Sequence, residues 1–273
     1  MRWTIQADPE WSGAWRHRLA LKAASACMTL IGRGEDESAL RDAWLLRQPG
    51  DDPGPAGNVL AAWRRLAGRS LPPGNEEVQT VAGLLGVGRS DGFAALLDVT
   101  RDEVRRGAPA PAVAARAAAA VMREDPKAEL LAWWLADCAL SWHMGWRHAV
   151  PILGAQIHAP LLRFGPDGRR ARPGGEAFGQ AVFIAAALGA AEACRLAADM
   201  AAQVERLRAV TPKLRSKGAG DVITLLLSDD AVSGALTTKA LSRWASRRLF
   251  DRLAELGAAR ELSGRPTFRL YGL

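Results

Sequence analysis

Apolar residues recur at helical spacing through most of the chain, and alternating apolar and polar residues occur only near its C-terminal end. The stripe formed by Trp15, Leu19, Ala23 and Leu30 predicts a helix over Trp11–Ile31. The same spacing predicts further helices over Ser38–Gln48, Val59–Leu66, Glu76–Leu85, Phe93–Val104, Ala112–Met122, Glu129–His143 and Glu176–Arg208. Loops rich in turn-forming residues are expected at Gln48–Asn58 and Phe164–Gly175. The chain is therefore predicted to be mainly α-helical.

The pattern changes after Gly220. Asp221–Leu227 is predicted as a short apolar helix with Asp221 as its N-cap, and a second short helix is expected over Leu236–Leu241. A longer helix, Ser242–Leu256, ends at Gly257, which is suited to a C-cap. Alternation in Ala258–Leu262 and Thr267–Tyr271 then predicts a β-hairpin. Helix, short helix, helix and hairpin is the order of a winged helix-turn-helix.

The helix that begins at Ser242 has two distinct faces at about 100° per residue. The predicted core stripe is Leu241, Ala245, Leu249, Leu253 and Leu256. Arg243 and Arg247 fall nearly opposite this stripe, with Phe250 nearby, and both lie in the first two turns. A recognition helix enters the major groove with its first turns, where Arg reaches guanine edges or phosphates.

The positive charge of the chain is concentrated in its last quarter. Residues 206–273 carry 13 Lys and Arg against 6 Asp and Glu, whereas residues 1–205 carry 23 of each. A surplus of this kind suggests a polyanionic partner, and the expected partner is double-stranded DNA. The alternative is an ordinary basic surface that is solvated and binds no polyanion.

Eight basic residues are predicted to contact DNA. Arg243 and Arg247 would reach base edges or phosphates, and Arg265, at the hairpin tip, would enter the minor groove or touch the flanking backbone. The complete predicted set is Arg215, Lys217, Lys239, Arg243, Arg247, Arg248, Arg265 and Arg269. This assignment depends on the two arginines of the helix projecting away from the leucine stripe into solvent.

Two domains are expected from these patterns. Residues 1–205 would form an all-helical domain, and residues 206–273 the winged helix-turn-helix domain, with 206–220 as a basic linker. The helical body is expected to form a homodimer or to bind another partner. Its most apolar run, Ala181–Ala191, is too short to span a bilayer and predicts a buried helix, so no membrane contact is expected. Three scattered cysteines favour a reducing cytoplasm over a disulfide framework.

Three stretches resemble DUF1403, an uncharacterised family found in bacterial plasmid and mobile-element contexts. These stretches are Pro49–Leu66, Leu207–Ser233 and Arg247–Leu273, and the similarity extends over nearly the full length. The family has no established activity, so the resemblance supplies context but no mechanism. From the predicted winged helix and its basic face, we expect a transcriptional regulator or an accessory factor of a plasmid or mobile element. The C-terminal stretch is also similar to winged helices that follow Fic domains, but the catalytic H-P-F-x-x-G-N-G-R motif of that family is absent.

No catalytic, metal-binding or cofactor-binding motif is recognised, and the chain is not expected to be an enzyme. His143 and His148 are five residues apart, which does not place them on one helix face for a shared metal ion. The remaining enzymatic hypothesis is a polar pocket that contains Asp137, His143 and Glu192. A continuous apolar interior around these residues would count against it.

Three further features have alternative interpretations. Arg169, Arg170 and Arg172 form either a phosphate-binding loop or a solvated one, and the solvated loop is favoured. Trp134 and Trp142 lie at helical spacing on one stripe. Such a stripe favours packing in the core over stacking on nucleic-acid bases. The winged helix itself serves either DNA binding or protein binding. The protein-binding hypothesis predicts a stable complex whose formation does not depend on the charge of Arg243.

Overall fold

The structure is a computed structural model that describes residues 5, 7–47, 50–163, 168–214 and 216–273. It is mainly helical, with a small antiparallel sheet near the C-terminal end. The helices of the N-terminal body are α1 Ser12–Met28, α2 Glu37–Leu45, α3 Gly54–Gly68, α4 Asn75–Leu84, α5 Asp91–Arg105, α6 Ala110–Glu124, α7 Glu129–His143 and α8 Phe178–Val210. Short 3-10 turns occur at Thr29–Ile31, Gly154–Gln156, Pro160–Leu162 and Thr211–Lys213.

Helix α7 occupies the centre of the body. Every residue from 130 to 141 is buried, which is the pattern of a helix that is surrounded on all sides. Helix α6 packs against it, and Trp133 meets Phe178 of α8 edge to face at 5.1 Å between ring centroids. Trp134 is in the core and donates its Nε1–H to the carbonyl of Ala62 at 2.9 Å. The expected packing role of Trp134 is therefore confirmed.

Helix α8 is longer than its neighbours and buries only one of its faces. Small residues such as Ala181, Ala185 and Gly189 allow close packing against the body, and Gly189 lies against the backbone of Ile152. The opposite side is exposed and includes Phe183. Within the described ranges, the segment Phe178–Lys213 is long and apolar enough to cross a membrane, by length and composition only. The expectation of a buried helix thus holds for one face.

The C-terminal residues form two helices and three short strands. These are α9 Ala219–Ser228, β1 Val232–Ser233, α10 Arg243–Glu255, β2 Arg260–Glu261 and β3 Leu270–Gly272. The strand order is β1–β3–β2, and both pairs are antiparallel. Val232 pairs with Tyr271, and Arg260 pairs with Gly272. The hairpin predicted from alternation is present with shorter strands, and the third strand, β1, lies between the segments Asp221–Leu227 and Leu236–Leu241, where no element was predicted.

Two predicted helix boundaries are wrong for local reasons. Helix α3 begins inside the predicted loop because Asp52 accepts a hydrogen bond from the Gly54 amide at 2.8 Å. Pro55 also suits the first turn of that helix. Asp221 is not an N-cap, because α9 starts two residues earlier. Its carboxylate instead accepts a hydrogen bond from the Thr238 hydroxyl at 2.7 Å.

The short helix predicted over Leu236–Leu241 is not formed, and this segment is irregular, with a bend at Lys239 and Ala240. The Thr238 amide donates to the Leu241 carbonyl at 3.0 Å, and the Leu241 amide donates back to Thr238. The Thr238 hydroxyl also accepts from the Ala240 amide at 3.2 Å. These local bonds compete with helical hydrogen bonding, as Thr side chains commonly do.

An ionic cluster, which we call the aspartate clasp, connects the C-terminal residues to the body. The clasp consists of Asp229 and Asp230 with Arg18, Arg41 and Arg64. Arg18 and Arg41 both bind the Asp230 carboxylate, and Arg64 binds both oxygens of Asp229 at 2.8 and 2.7 Å. The two acids follow α9 directly, so the clasp positions β1 and the sheet beside α1, α2 and α3. The two-domain division stays a prediction.

Candidate nucleic-acid interface

Helix α10 begins and ends where its sequence predicts. The Ser242 side chain accepts a hydrogen bond from the Ala245 amide at 3.3 Å and thereby caps the helix. Gly257 follows the last turn with a φ of 65°, a conformation in which glycine has no steric cost. The Gly257 and Ala258 amides return to carbonyls of the last turn at 2.9 and 2.8 Å. Both ends of the helix are thus fixed, and so is the direction of its first turn.

The buried face of α10 is rotated relative to the predicted leucine stripe. Its buried residues are Ser246, Leu249, Phe250 and Leu253, whereas Ala245 and Leu256 are only half-buried. Phe250, which was predicted to lie near the arginines, is fully buried and stacks on Tyr271 with 4.7 Å between ring centroids. The aromatic pair therefore turns α10 toward the sheet, an effect that leucine periodicity cannot reveal.

The arginines of α10 remain on the surface despite this rotation. Arg243, Arg247 and Arg248 are exposed, as are Lys217 and Lys239. Among the described residues, no carboxylate lies within ion-pair distance of these five side chains. The carboxylates of α10 itself, Asp251 and Glu255, come later in the helix. The first half of α10 therefore presents cations that no neighbour neutralises.

Two aromatic side chains extend the basic surface, and the sequence analysis did not assign either to the site. Trp244 is 75% exposed and Phe268 is 60% exposed, values that are unusual for rings of this size. Trp244 lies one turn before Arg248 on the same stripe. Its signal in the sequence was that no other tryptophan follows residue 206. Phe268 adopts a φ of 54°, which a bulky residue rarely does and which turns its ring away from the sheet.

The hairpin arginines are more constrained than predicted. Arg265 binds Asp42 of α2 at 2.5 Å and is half-buried, so it is directed toward the body. Arg269 is exposed and pairs with Asp251 at 3.2 Å. Arg215 lies outside the described residues. Of the eight predicted residues, the structure thus brings together Arg243, Arg247 and Arg269, while Arg265 has a structural partner.

A groove of about 320 Å³ separates α10 from the hairpin. Arg243 and Arg247 line one wall, and Phe268 and Arg269 line the other, with Asp251 at one end. The Tyr271 hydroxyl also donates to Asp251 at 3.2 Å, which holds this carboxylate at the sheet. Three guanidinium groups therefore surround the groove and only one carboxylate does, so its potential favours an anionic group.

The model of the family described as "Protein of unknown function (DUF1403)" matches residues 2–273. The chain belongs to the DUF1403 family. No curated protein and no solved structure matches it. The resemblance inferred from the sequence is therefore confirmed over the whole chain, while the family itself has no assigned function.

The enzymatic hypothesis placed Asp137, His143 and Glu192 in one pocket, and this DUF1403 chain does not bring them together. Asp137 is fully buried, and its oxygens accept the amides of Ile152, Leu153 and Gly154 at 2.9, 2.7 and 3.0 Å. Burial raises the pKa of Asp137 to about 6, although these three amides oppose the shift. Its carboxylate is thus committed to the fold.

Glu192 is also engaged elsewhere. It binds Lys22 of α1 and the Gln156 side chain, each at 2.7 Å. Burial acts to raise the pKa of Glu192, but the hydrogen bonds from Lys22 and Gln156 and the charge of Lys22 together outweigh it and lower the pKa below its usual value. Glu192 therefore fixes α8 to α1.

The arginine-rich loop of the DUF1403 chain is described only from Gly168 onward, and residues 164–167 lie outside the described residues. Arg170 binds Glu129 of α7 at 2.6 Å, and Arg172 binds the same carboxylate at 3.1 Å. Both guanidinium groups are therefore paired with an acid. This geometry favours a structural role over phosphate binding for these two arginines.

Proposed function

We propose that residues 206–273 form a variant of the winged helix-turn-helix, in which an irregular segment replaces the short helix expected over Leu236–Leu241. This unit would bind double-stranded DNA, in a transcriptional regulator or an accessory factor of a plasmid or mobile element. The observation that carries the proposal is the trio of exposed, unneutralised arginines in the first half of α10, beside a sheet of order β1–β3–β2. In winged helices, the helix that precedes the hairpin enters the major groove and the hairpin flanks it.

The proposed contacts follow from the geometry of α10. Arg243 and Arg247 face the groove beside the hairpin, and Arg248 lies on the outer stripe with Trp244. Arg248 and Arg247 would contact phosphates or guanine edges, where the guanidinium fork makes two hydrogen bonds. Lys239 and Lys217 would contact the flanking backbone. Arg265 is left out of this set, because Asp42 already neutralises it.

The test is the binding of the full chain to a fluorescent random-sequence duplex at two salt concentrations. We expect Arg247→Glu to weaken binding about tenfold or more, and to reduce the steepness of the salt dependence by about one counterion or more. Arg105→Glu is the matched control, because Arg105 is an equally exposed arginine on α5. The control should bind as the wild type does.

Two results would contradict the proposal in different ways. Absence of binding by the wild type at low salt would exclude general DNA affinity. Equal weakening by Arg247→Glu and Arg105→Glu would mean that α10 is not the contact surface. A circular dichroism spectrum for each variant establishes that the charge reversals leave the helices intact.

The exposure of Trp244 and Phe268 supports a second candidate, in which the same surface binds a protein. Exposed tryptophan and arginine side chains are the residue types that contribute most to protein interfaces. In that case Trp244→Ala would abolish the complex, while Arg243→Glu would leave it nearly unchanged. Binding of duplex DNA by the Trp244→Ala variant with only modest loss would favour the DNA-binding proposal.

A further inference from the structure

A second cavity lies between the start of α1 and the turn that follows α7. Its volume is about 650 Å³, within the range of roughly 300–1,000 Å³ that is typical of small-molecule sites. Ser12, Trp15 and Arg16 line the α1 side. The residues on the opposite side are His143, Met144, Gly145, Trp146, Arg147, His148 and Val150. None of these residues belongs to the proposed DNA surface.

The polar groups of this cavity carry an excess of positive charge. Arg16 and Arg147 both line it, whereas Asp8 is the only carboxylate that does. Asp8 is already occupied, because it accepts from the Ser12 hydroxyl at 2.7 Å and pairs with Arg16 at 3.4 Å. Arg147 is exposed and has no ion-pair partner among the described residues. An anionic group could therefore bind Arg147 without displacing a protein carboxylate.

Hydrogen-bonding groups and an aromatic wall complete the cavity. Burial, followed by the charge of Arg16, lowers the pKa of His148. The Nδ1 atom of His143 is buried and lacks a hydrogen-bond partner within the described ranges. Trp15 is almost fully buried and its Nε1–H donates to the Ala193 carbonyl at 3.0 Å, so the half-buried Trp146 supplies the accessible aromatic surface. An aromatic wall favours a planar apolar group.

We propose that this cavity binds a small carboxylic acid with a planar aromatic body, whose carboxylate pairs with Arg147 and whose ring lies against Trp146. Arg forms bidentate bonds with carboxylates, so Arg147 can hold the anionic group in a fixed orientation. The proposal goes beyond DNA binding and does not depend on it. Ligand binding is measurable on the chain alone.

The test is isothermal titration of the full chain with 2-naphthoate, benzoate, benzamide and inorganic phosphate. We expect the two carboxylates to bind, with 2-naphthoate tighter because it buries more apolar surface. Benzamide lacks the charge and phosphate lacks the ring, so both should bind much more weakly. Arg147→Ala should weaken 2-naphthoate about tenfold or more, since an ion-paired hydrogen bond is lost. Arg195→Ala, an exposed arginine of α8, is the matched control and should bind normally.

Each other outcome overturns the proposal. Lack of heat for both carboxylates up to about 10 mM, a range that covers weak small-molecule affinities, would exclude the site. Equal affinity for benzamide and benzoate would mean that the carboxylate charge, and therefore its pairing with Arg147, does not contribute to binding. Full 2-naphthoate binding by Arg147→Ala would place the ligand elsewhere. Trp146→Ala is a second variant, and its failure to weaken 2-naphthoate would exclude the aromatic wall.

Discussion

Asp230 is a buried acid whose role is defined entirely by its neighbours. It is only 3% exposed, and Arg18 and Arg41 reach its carboxylate from two different helices. A buried charge without partners is very costly, so the acid and the two arginines stabilise one another only as a set. The sequence shows two adjacent aspartates, but the partners of Asp230 are 189 and 212 residues away along the chain. Sequence spacing alone could not identify them.

Removal of the charge on Asp230 should be strongly destabilising. We expect Asp230→Asn to lower the free energy of unfolding by about 3–5 kcal/mol, because two buried guanidinium groups lose their counterion. Urea unfolding followed by circular dichroism measures this difference. Asp199→Asn, an exposed aspartate of α8, should change it by less than about 0.5 kcal/mol. Similar values for the two variants would mean that the clasp contributes little.

Asp137 stabilises a different feature, the turn before the 3-10 segment Gly154–Gln156. Asp137→Ala leaves three buried amides without an acceptor, and each such group costs about 1–3 kcal/mol. We therefore expect a loss of about 3 kcal/mol or more in urea unfolding. Asp137→Asn keeps one acceptor oxygen and should lose less than the alanine variant. A loss below about 1 kcal/mol for Asp137→Ala would contradict this assignment.

At the scale of elements, hydrophobic periodicity predicted the helices whose bounds depend on the spacing of nearby residues. The bounds of α7, Glu129–His143, agree with the prediction because every turn of that helix is apolar and Gly145, with a φ of 69°, follows its last turn. Periodicity failed where a long-range contact decides, as at Phe250, which Tyr271 draws into the sheet. Strand β1 was also missed, since two residues carry no alternation and its partner β3 lies far along the chain. The sequence predicted the arginines of the candidate site, but it did not predict the aromatic residues beside them.

Substitutions of Ser242, the N-cap of α10, can separate an effect on the stability of the helix from an effect on DNA binding. Ser242→Ala should cost about 1 kcal/mol, because the Ala245 amide loses its acceptor. Ser242→Asp should retain the cap and the stability, since Asp is an equally good N-cap. It would, however, place a negative charge beside Arg243. If DNA binds there, Ser242→Asp should weaken binding more than Ser242→Ala does. The reverse order in a fluorescence anisotropy titration would contradict the proposed face.

At the scale of the whole molecule, the clasp changes how the charge asymmetry should be understood. Residues 206–273 contain six acids, but Asp229 and Asp230 are turned inward toward arginines of the body. The outward surface of the C-terminal residues therefore carries relatively more positive charge than the sequence count suggests. The same ion pairs engage three arginines of the body, Arg18, Arg41 and Arg64. In the folded chain, the surface of the C-terminal residues is therefore more basic, and that of the body less basic, than the sequence counts suggest.

The clasp should also make the stability of the molecule depend on pH. Burial acts to raise the pKa of Asp229, but the nearby His17 ring and Arg64, which binds both carboxylate oxygens, together outweigh it and hold the pKa well below its usual range. The pKa of Asp230 is lowered as well, since Arg18 and Arg41 overcome the effect of burial. Both acids therefore have a lower pKa in the folded chain than in the unfolded chain, where the pKa of an Asp is about 3.9.

The direction of the pH effect follows from this difference. The unfolded chain takes up protons first as the pH falls, so the contribution of the clasp is complete above about pH 5 and declines below it. Asp137 acts in the opposite sense between about pH 4 and 6, because its raised pKa makes the folded chain the better proton acceptor.

We expect the free energy of unfolding of the wild type to fall steeply from pH 5 to pH 3. Asp229→Asn cannot take up that proton and should give a shallower slope in urea titrations at each pH, whereas Asp199→Asn should keep the wild-type slope. Identical slopes for Asp229→Asn and the wild type would exclude the clasp as the acid-sensitive element.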